Sequence, residues 1–282
     1  AIRSIDNVDR SATDMLGIDL VAPIRGKIYT ILAFMFLSIV LRSTLIVVSV
    51  SIDLLQQLTV FFGTFMKTFS KYQFAIIVSA ISQRFERVNV NILASCRRGH
   101  AEAFLRDLRF LVRYHYKLCD VCRSMNTVFG IQLLYSIVVS MVDILFHSYC
   151  LYIGLTKKRN LFTGWAAACG VVWIIDEFIE IYFLVYACAR TCSFANRTAI
   201  ILHELRSNIM RYNEFEKQIQ MYSIQFLHQK LKFSVLGFVV VDYSLLYSIA
   251  GAAATYLVIV IQLEEGRSSD HFRNQTSSAN MM

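Results

Sequence analysis

The chain has 282 residues, 56% hydrophobic and only 17% charged, with a single proline and a net charge of +8. A soluble domain is usually nearer 25% charged, so this balance excludes a disordered chain, a disulfide-stapled secreted module and a soluble enzyme fold. In a membrane protein the positive charge marks the cytoplasmic face, not affinity for nucleic acid, so its position along the chain decides what it means.

Five stretches reach the roughly 20 mostly apolar residues that a transmembrane helix needs. They lie at about 28–55, 58–81, 128–155, 165–189 and 235–263. None alternates apolar with polar residues, so the expected fold is an all-α, multi-span helical bundle and not a barrel. Residues 1–27, about 84–127 and about 190–234 then fall on one side. The middle segment alone carries Arg84, Arg87, Arg97, Arg98, Arg106, Arg109, Arg113, Lys117 and Arg123. The other side has only Lys157, Lys158 and Arg159 in one loop, and Arg267 and Arg273 in a tail over 264–282. Positive charge collects in the cytoplasm, which places the C-terminus outside. The sequon Asn274-Gln275-Thr276 then lies outside as a glycosylation acceptor. A second sequon, Asn196-Arg197-Thr198, falls inside and is expected to be silent.

The two long inner segments show helical seams. Leu105, Leu108, Val112, His115, Cys119, Cys122 and Asn126 follow a 3,4 spacing. So do Leu205, Asn208, Tyr212, Phe215, Ile219, Tyr222, Phe226, Gln229 and Phe233. Such seams pack helix on helix. The second to fifth spans are therefore expected to continue into the cytoplasm as a helical bundle able to anchor an oligomer; amphipathic segments lying on the inner leaflet are the alternative. Cys119-x-x-Cys122 is half a zinc pattern without a second half, and the histidines make no ligand spacing, so no metal and no cofactor are expected. Cys150 and Cys169 sit in the outer halves of neighbouring spans, where a disulfide is conceivable.

Ionisable groups inside a membrane cost roughly 2.5–3.5 kcal/mol each on insertion scales and need a reason. Trp173, Asp176, Glu177 and Glu180 share one face of the fourth span; Asp143 and His147 lie one turn apart in the third; Arg42, Lys67 and Lys71 sit in the first two. These groups either pair across the bundle or line a wet cavity for a small polar ligand. In the last span, small residues over 250–254 permit close backbone approach. Thr255, then Val258 or Ile259, then Gln262 share a face. That face suits a symmetric pore, with aliphatic rings gating by dewetting and amides holding a partly hydrated cation. Alternatively, Gln262 marks the membrane boundary.

The run Thr255-Tyr256, five aliphatics, Gln262 resembles the last-helix signature of insect gustatory receptors, Thr-Tyr, five hydrophobics, Gln-Phe, with Leu263 in place of the Phe. Gly237-Phe238, Asp242 and Leu245-Leu246 resemble the lead-in to that helix. Arg84-Phe85-Glu86-Arg87-Val88-Asn89 resembles the exit from the family's fourth span. His115, Leu118-Cys119-Asp120, Asn126 and Phe129-Gly130-Ile131-Gln132-Leu133-Leu134 resemble the lead into its fifth. The resemblance implies a plasma-membrane, multi-pass receptor of seven spans, of which this chain, starting at Ala1 and not Met, holds the third to seventh. It implies a homo- or heterotetramer with other gustatory receptor subunits, acting as a tastant-gated, poorly selective cation channel. Gln262 then stands at the pore constriction, with Thr255, Val258, Ile259 and Ile261 as neighbours. Asp143, His147, Trp173, Asp176, Glu177 and Glu180 become candidates for the ligand pocket or its linkage to the gate. Leu257, where sugar-type members often carry an acid, leans toward bitter-type or fructose-like branches. A secondary transporter using the intramembrane charges is the alternative reading; it expects internal repeats and helices broken by Gly or Pro, and the chain shows neither.

Overall fold

Long apolar runs without internal proline let each segment close its own backbone hydrogen bonds, which a bilayer requires. The computed structural model describes residues 24–49, 53–97, 101–156, 161–208 and 213–279. They form helix α1 (Ile24–Ser49), α2 (Leu54–Arg97), α3 (Ala101–Thr156), α4 (Leu161–Asn208) and α5 (Asn213–His228). A two-stranded antiparallel hairpin, β1 (Ser234–Val235) with β2 (Val239–Val240), comes next, and then α6 (Tyr243–Ala279). Residues 1–23, most of the first inner segment, and the basic loop at Lys157, Lys158 and Arg159 lie outside the described residues, as does Tyr212.

At 1.5 Å per residue, the 56 residues of α3 extend about 84 Å, nearly three times a hydrocarbon core of about 30 Å. About two thirds of α3 therefore exceeds what one core can hold, and α2 and α4, of 44 and 48 residues, are likewise longer than the core is thick. By length and hydropathy alone, Glu102–Thr156 and Tyr243–Glu264 can span, and Tyr29–Leu45 is a shorter apolar stretch. The most extensive packing is α2 on α4, followed by α4 on α3 and α3 on α2.

The projecting halves pack as a bundle. In the first seam Leu105, Leu108, Val112, His115, Cys119 and Cys122 are buried and Asn126 is half-buried. The second departs from a continuous helix. Leu205, Ile219 and Phe226 are buried and Tyr222 half-buried, but Gln229 is exposed. Phe233 reaches the core from an extended strand approach, where it meets Phe74 edge-on at 5.9 Å. Segment 213–228 is thus a separate helix, not an extension of the last span. The apolar run from 235 is also not helical at its start. The loop has three residues, 236–238: Leu236 and Gly237, with φ of 50° and 78°, are the central pair of a turn closed by the Phe238 amide donating to the Val235 carbonyl at 3.0 Å, and positive φ at both is what a I′ turn requires. The helix begins only after Asp242, whose Oδ1 accepts from the Ser244 amide at 2.9 Å as an N-cap. A short β-branched apolar run is ambiguous between helix and strand until its glycine is placed.

Side chains tie the hairpin to the bundle. The Ser234 amide donates to Asn126 Oδ1 at 3.1 Å. A Cβ at Gly130 would come within 2.8 Å of Leu236 Cδ2, so the glycine admits the turn against α3. Asn196 clamps the preceding strand from both sides of its amide, donating to the Leu231 carbonyl at 3.2 Å and accepting from its amide at 2.9 Å. Asn89 links α2 to α4, donating to the Phe194 carbonyl at 2.8 Å and accepting from Thr198 at 2.7 Å. All seven cysteines are free, Cys150 exposed and Cys169 buried, so the disulfide between those two is not formed. Burial pushes the Cys119 thiol up to about 12 and that of Cys192 to about 11. These thiols are neutral packing groups at physiological pH.

His115 lies at the centre of the bundle, with Nε2 3.0 Å from the Ala195 carbonyl and its ring 4.9 Å from Phe85 and 4.4 Å from Phe226. Burial lowers its pKa to about 4. Its folded value lies below the unfolded value near 6.5. The packed neutral ring is therefore fully tolerated above pH 6.5, and stability is lost as pH falls from there through 4. The loss is expected to approach about 3 kcal/mol at the acid end. His115→Phe should flatten the thermal-melting profile of the detergent-solubilised protein over that window.

Candidate functional site

Four helices bring the charged residues of their apolar stretches to one place. Arg42 of α1 meets all three acids of α4: Nε to Asp176 Oδ2 at 2.5 Å, Nη1 to Glu177 Oε1 at 2.7 Å and Nη2 to Glu180 Oε1 at 3.1 Å. Lys67 of α2 bridges Glu177 to Asp143 of α3. One turn on, Lys71 contacts Glu177 Oε2 at 3.3 Å and Glu180 Oε2 at 2.5 Å, and donates to Ser140 Oγ at 2.9 Å. Hydroxyls complete the shell. Ser38 donates to Asp176 at 2.8 Å and Glu180 at 3.0 Å, and Thr68 donates to Glu180 at 2.9 Å. Glu177 touches every cation and is fully buried, as are the three cations and Glu180.

The spacing of α4 explains this convergence. Asp176, Glu177 and Glu180 present one stripe, and Lys67 and Lys71 stand one turn apart facing it. Burying a charge is tolerable only when it is paired and hydrogen-bonded. Three cations face four carboxylates, so the cluster holds one negative charge in excess. The excess is nearest solvent at Asp143, whose side chain is 30% exposed, while the other carboxylates are at most 12% exposed.

The rim beside Asp143 is aromatic. His147, one turn further along α3, meets Trp173 of α4 at 4.8 Å and 66°. The Arg42 guanidinium lies 5.4 Å from the Trp173 ring centroid, a cation–π contact. Trp173 is only 8% exposed, and its indole N–H is without a hydrogen-bond partner among the described residues. The six acidic, imidazole and indole residues singled out in the sequence therefore form one contiguous site. Arg42, Lys67 and Lys71 belong to it as fully as the acids do. Ser38, Thr68 and Ser140 also belong to it; a single hydroxyl in an apolar helix carries no periodic signal. The cationic groups fill the spaces between the carboxylates, and no His, Cys, Asp and Glu side chains among the described residues are grouped to hold a metal.

The last helix behaves differently. Among the described residues of α6, only Leu245, Ile249 and Ala253, four residues apart, are buried, along one stripe. Thr255, Val258, Ile259 and Gln262 are exposed, and Ile261 is half-buried. Tyr149 of α3 donates to Glu264 at 2.6 Å near the far end. The helix continues to Ala279, carrying the backbone of Asn274, whose side chain lies outside the described residues.

Comparison with known proteins agrees with this architecture. The sequence profile described as 7tm chemosensory receptor matches residues 24–265. The putative gustatory receptor 28a of Drosophila melanogaster is 29% identical over 167 residues, 58% of this chain and 36% of the relative. Gustatory receptor 68a of the same fly is 28% identical over 193 residues, 67% of this chain and 47% of the relative. The chain thus spans less than half the length of these relatives. In fold it is similar to the olfactory receptor OR5 of Machilis hrabei, solved in complex with eugenol, with a TM-score of 0.58 and 13% identity over 93% of this chain and 70% of that one. The chain belongs to the 7tm chemosensory receptors, multi-pass membrane proteins, and within them to the insect gustatory receptor family.

Removing one member of a buried ionic cluster strands its partners, at about 3–5 kcal/mol. Glu177→Gln and Arg42→Ala are expected to lose most of the folded, monodisperse protein after mild heating. Asp143→Asn, at the exposed rim, should cost only about 1 kcal/mol. Fluorescence-detected gel filtration after a temperature series separates the two classes.

Proposed function

We propose that this chain is part of a taste receptor subunit that works as a ligand-gated, poorly selective cation channel in the plasma membrane of chemosensory cells. The observation that carries the reading is the exposure of Thr255, Val258, Ile259 and Gln262 on a helix that buries only one stripe in its own protomer. In a tetramer, homomeric or shared with other gustatory subunits, four such faces meet on a common axis. Aliphatic rings then close the path by dewetting, and a ring of Gln262 amides holds a partly hydrated cation. The tastant enters at the rim formed by Asp143, His147 and Trp173. There the excess negative charge and the unpaired indole N–H offer both an acceptor and a donor. The ionic cluster beneath ties that rim to α1, α2 and α4, so that a shift there moves helices as units.

The bundle of α2–α5 lies in the cytoplasm in this reading and the C-terminus outside, as the distribution of lysine and arginine requires. Free, neutral thiols in the bundle suit a reducing compartment.

Two measurements test the reading. Co-expression of Gln262→Ala with the wild-type receptor should change cation permeability ratios or rectification of the ligand-evoked current; identical permeation in the mixed channels would remove α6 from the pore. For orientation, endoglycosidase treatment should shift the wild type but not Asn274→Gln. Asn196→Gln should shift like wild type, since that amide faces the bundle and is engaged with Leu231.

A further inference from the structure

On the bundle side of the ionic cluster, α1, α2 and α4 leave a cavity of about 230 Å³, lined among others by Ile31, Ser82, Gln83, Phe183, Tyr186 and Arg190. It is separate from the rim at Asp143 and Trp173. On α2 it begins one turn past Lys71, and on α4 it lies beyond Glu180, both in the direction of the bundle. Gln83 and Arg190 fall just past the apolar limits of their spans, and Ile31 and Phe183 lie inside theirs. The cavity therefore straddles the membrane–water boundary, polar at one end and apolar at the other.

One lining group is unsatisfied. Ser82 is 2% exposed, and its hydroxyl has no hydrogen-bond partner among the described residues. A serine in a helix normally donates to the carbonyl four residues back. Here Ser82 makes no such bond, and that carbonyl, of Val78, is approached by the Thr191 hydroxyl of α4 at 3.1 Å, which lies closer to the Ala187 carbonyl at 2.7 Å. A buried hydroxyl without a partner is destabilising, so the site favours an occupant that satisfies it. The neighbouring cation does not call for an anion. Arg190 donates to the Tyr186 hydroxyl at 2.9 Å and its charge is met by Glu86 at 3.5 Å. The walls are largely apolar, and the volume is below the roughly 300–1,000 Å³ of drug-sized sites.

We propose that this cavity is a second ligand site, distinct from the tastant rim, that takes a small neutral amphiphile from the membrane. An alcohol or phenol places its hydroxyl against Ser82 and Gln83 and its apolar body against Ile31 and Phe183. The site joins α1, α2 and α4, the helices that also hold the ionic cluster, so its occupant braces the same helices one layer below.

The test is photolabelling of the protein in lipid nanodiscs with a diazirine-bearing octanol, read by peptide mass spectrometry. The expected result is adducts on peptides covering residues 75–83 and 183–190, suppressed by excess n-octanol but not by n-octane. Ser82→Ala should weaken octanol competition about three- to tenfold, the worth of one neutral hydrogen bond. Ser82→Thr, which keeps the hydroxyl, should restore it. Gel filtration of each variant shows that the fold is retained. Adducts spread evenly over lipid-facing residues such as Phe36 and Phe62, equal competition by octane, or no labelling of the cavity peptides would each overturn the proposal.

Discussion

Glu177 carries its charge fully buried on a largely apolar helix, where no water solvates it. It is tolerated because Arg42, Lys67 and Lys71 reach it from two other helices at once. That one constraint fixes the rotation of α1, α2 and α4 relative to each other, and Lys67 extends it to α3 through Asp143. Apolar packing alone would not, since lipid is as good a neighbour for leucine as another helix is. Rotating α4 by even one residue would turn three carboxylates away from their cations.

The same constraint shapes the site. Charge inside the cluster is mutually satisfied, so what remains available to a ligand is its edge: Asp143, partly exposed, and the aromatic pair of His147 and Trp173 leaning over Arg42. The result is a rigid ionic floor beneath a rim with one spare negative charge and one spare indole N–H. The bundle below is held by a different chemistry. Asn89 and Asn196 use whole carboxamides, and Asn126 its amide oxygen, to join helices and hairpin, and His115 fills the centre as a neutral ring. Against this tightly held frame, α6 is the loosely attached element, anchored by Leu245, Ile249 and Ala253 and by Asp242 at its start.

Much of this was written in the amino-acid sequence. The apolar runs, the lysine and arginine distribution and the 3,4 seam from Leu105 to Cys122 determine a helical membrane bundle, because helix periodicity and bilayer thickness are local properties. The Thr255-to-Gln262 run and the acidic stripe of α4 likewise declare which faces are special. Tertiary structure alone decided which cation meets which acid, since Arg42 and Glu177 lie 135 residues apart and spacing says nothing about distant partners. It also decided that the run after Ser234 turns as a hairpin, with Leu236 and Gly237 at positive φ and the Leu236 side chain seated against Gly130 of α3. And it alone left the Ser82 hydroxyl buried without a partner among the described residues, since that depends on how α2 packs against its neighbours.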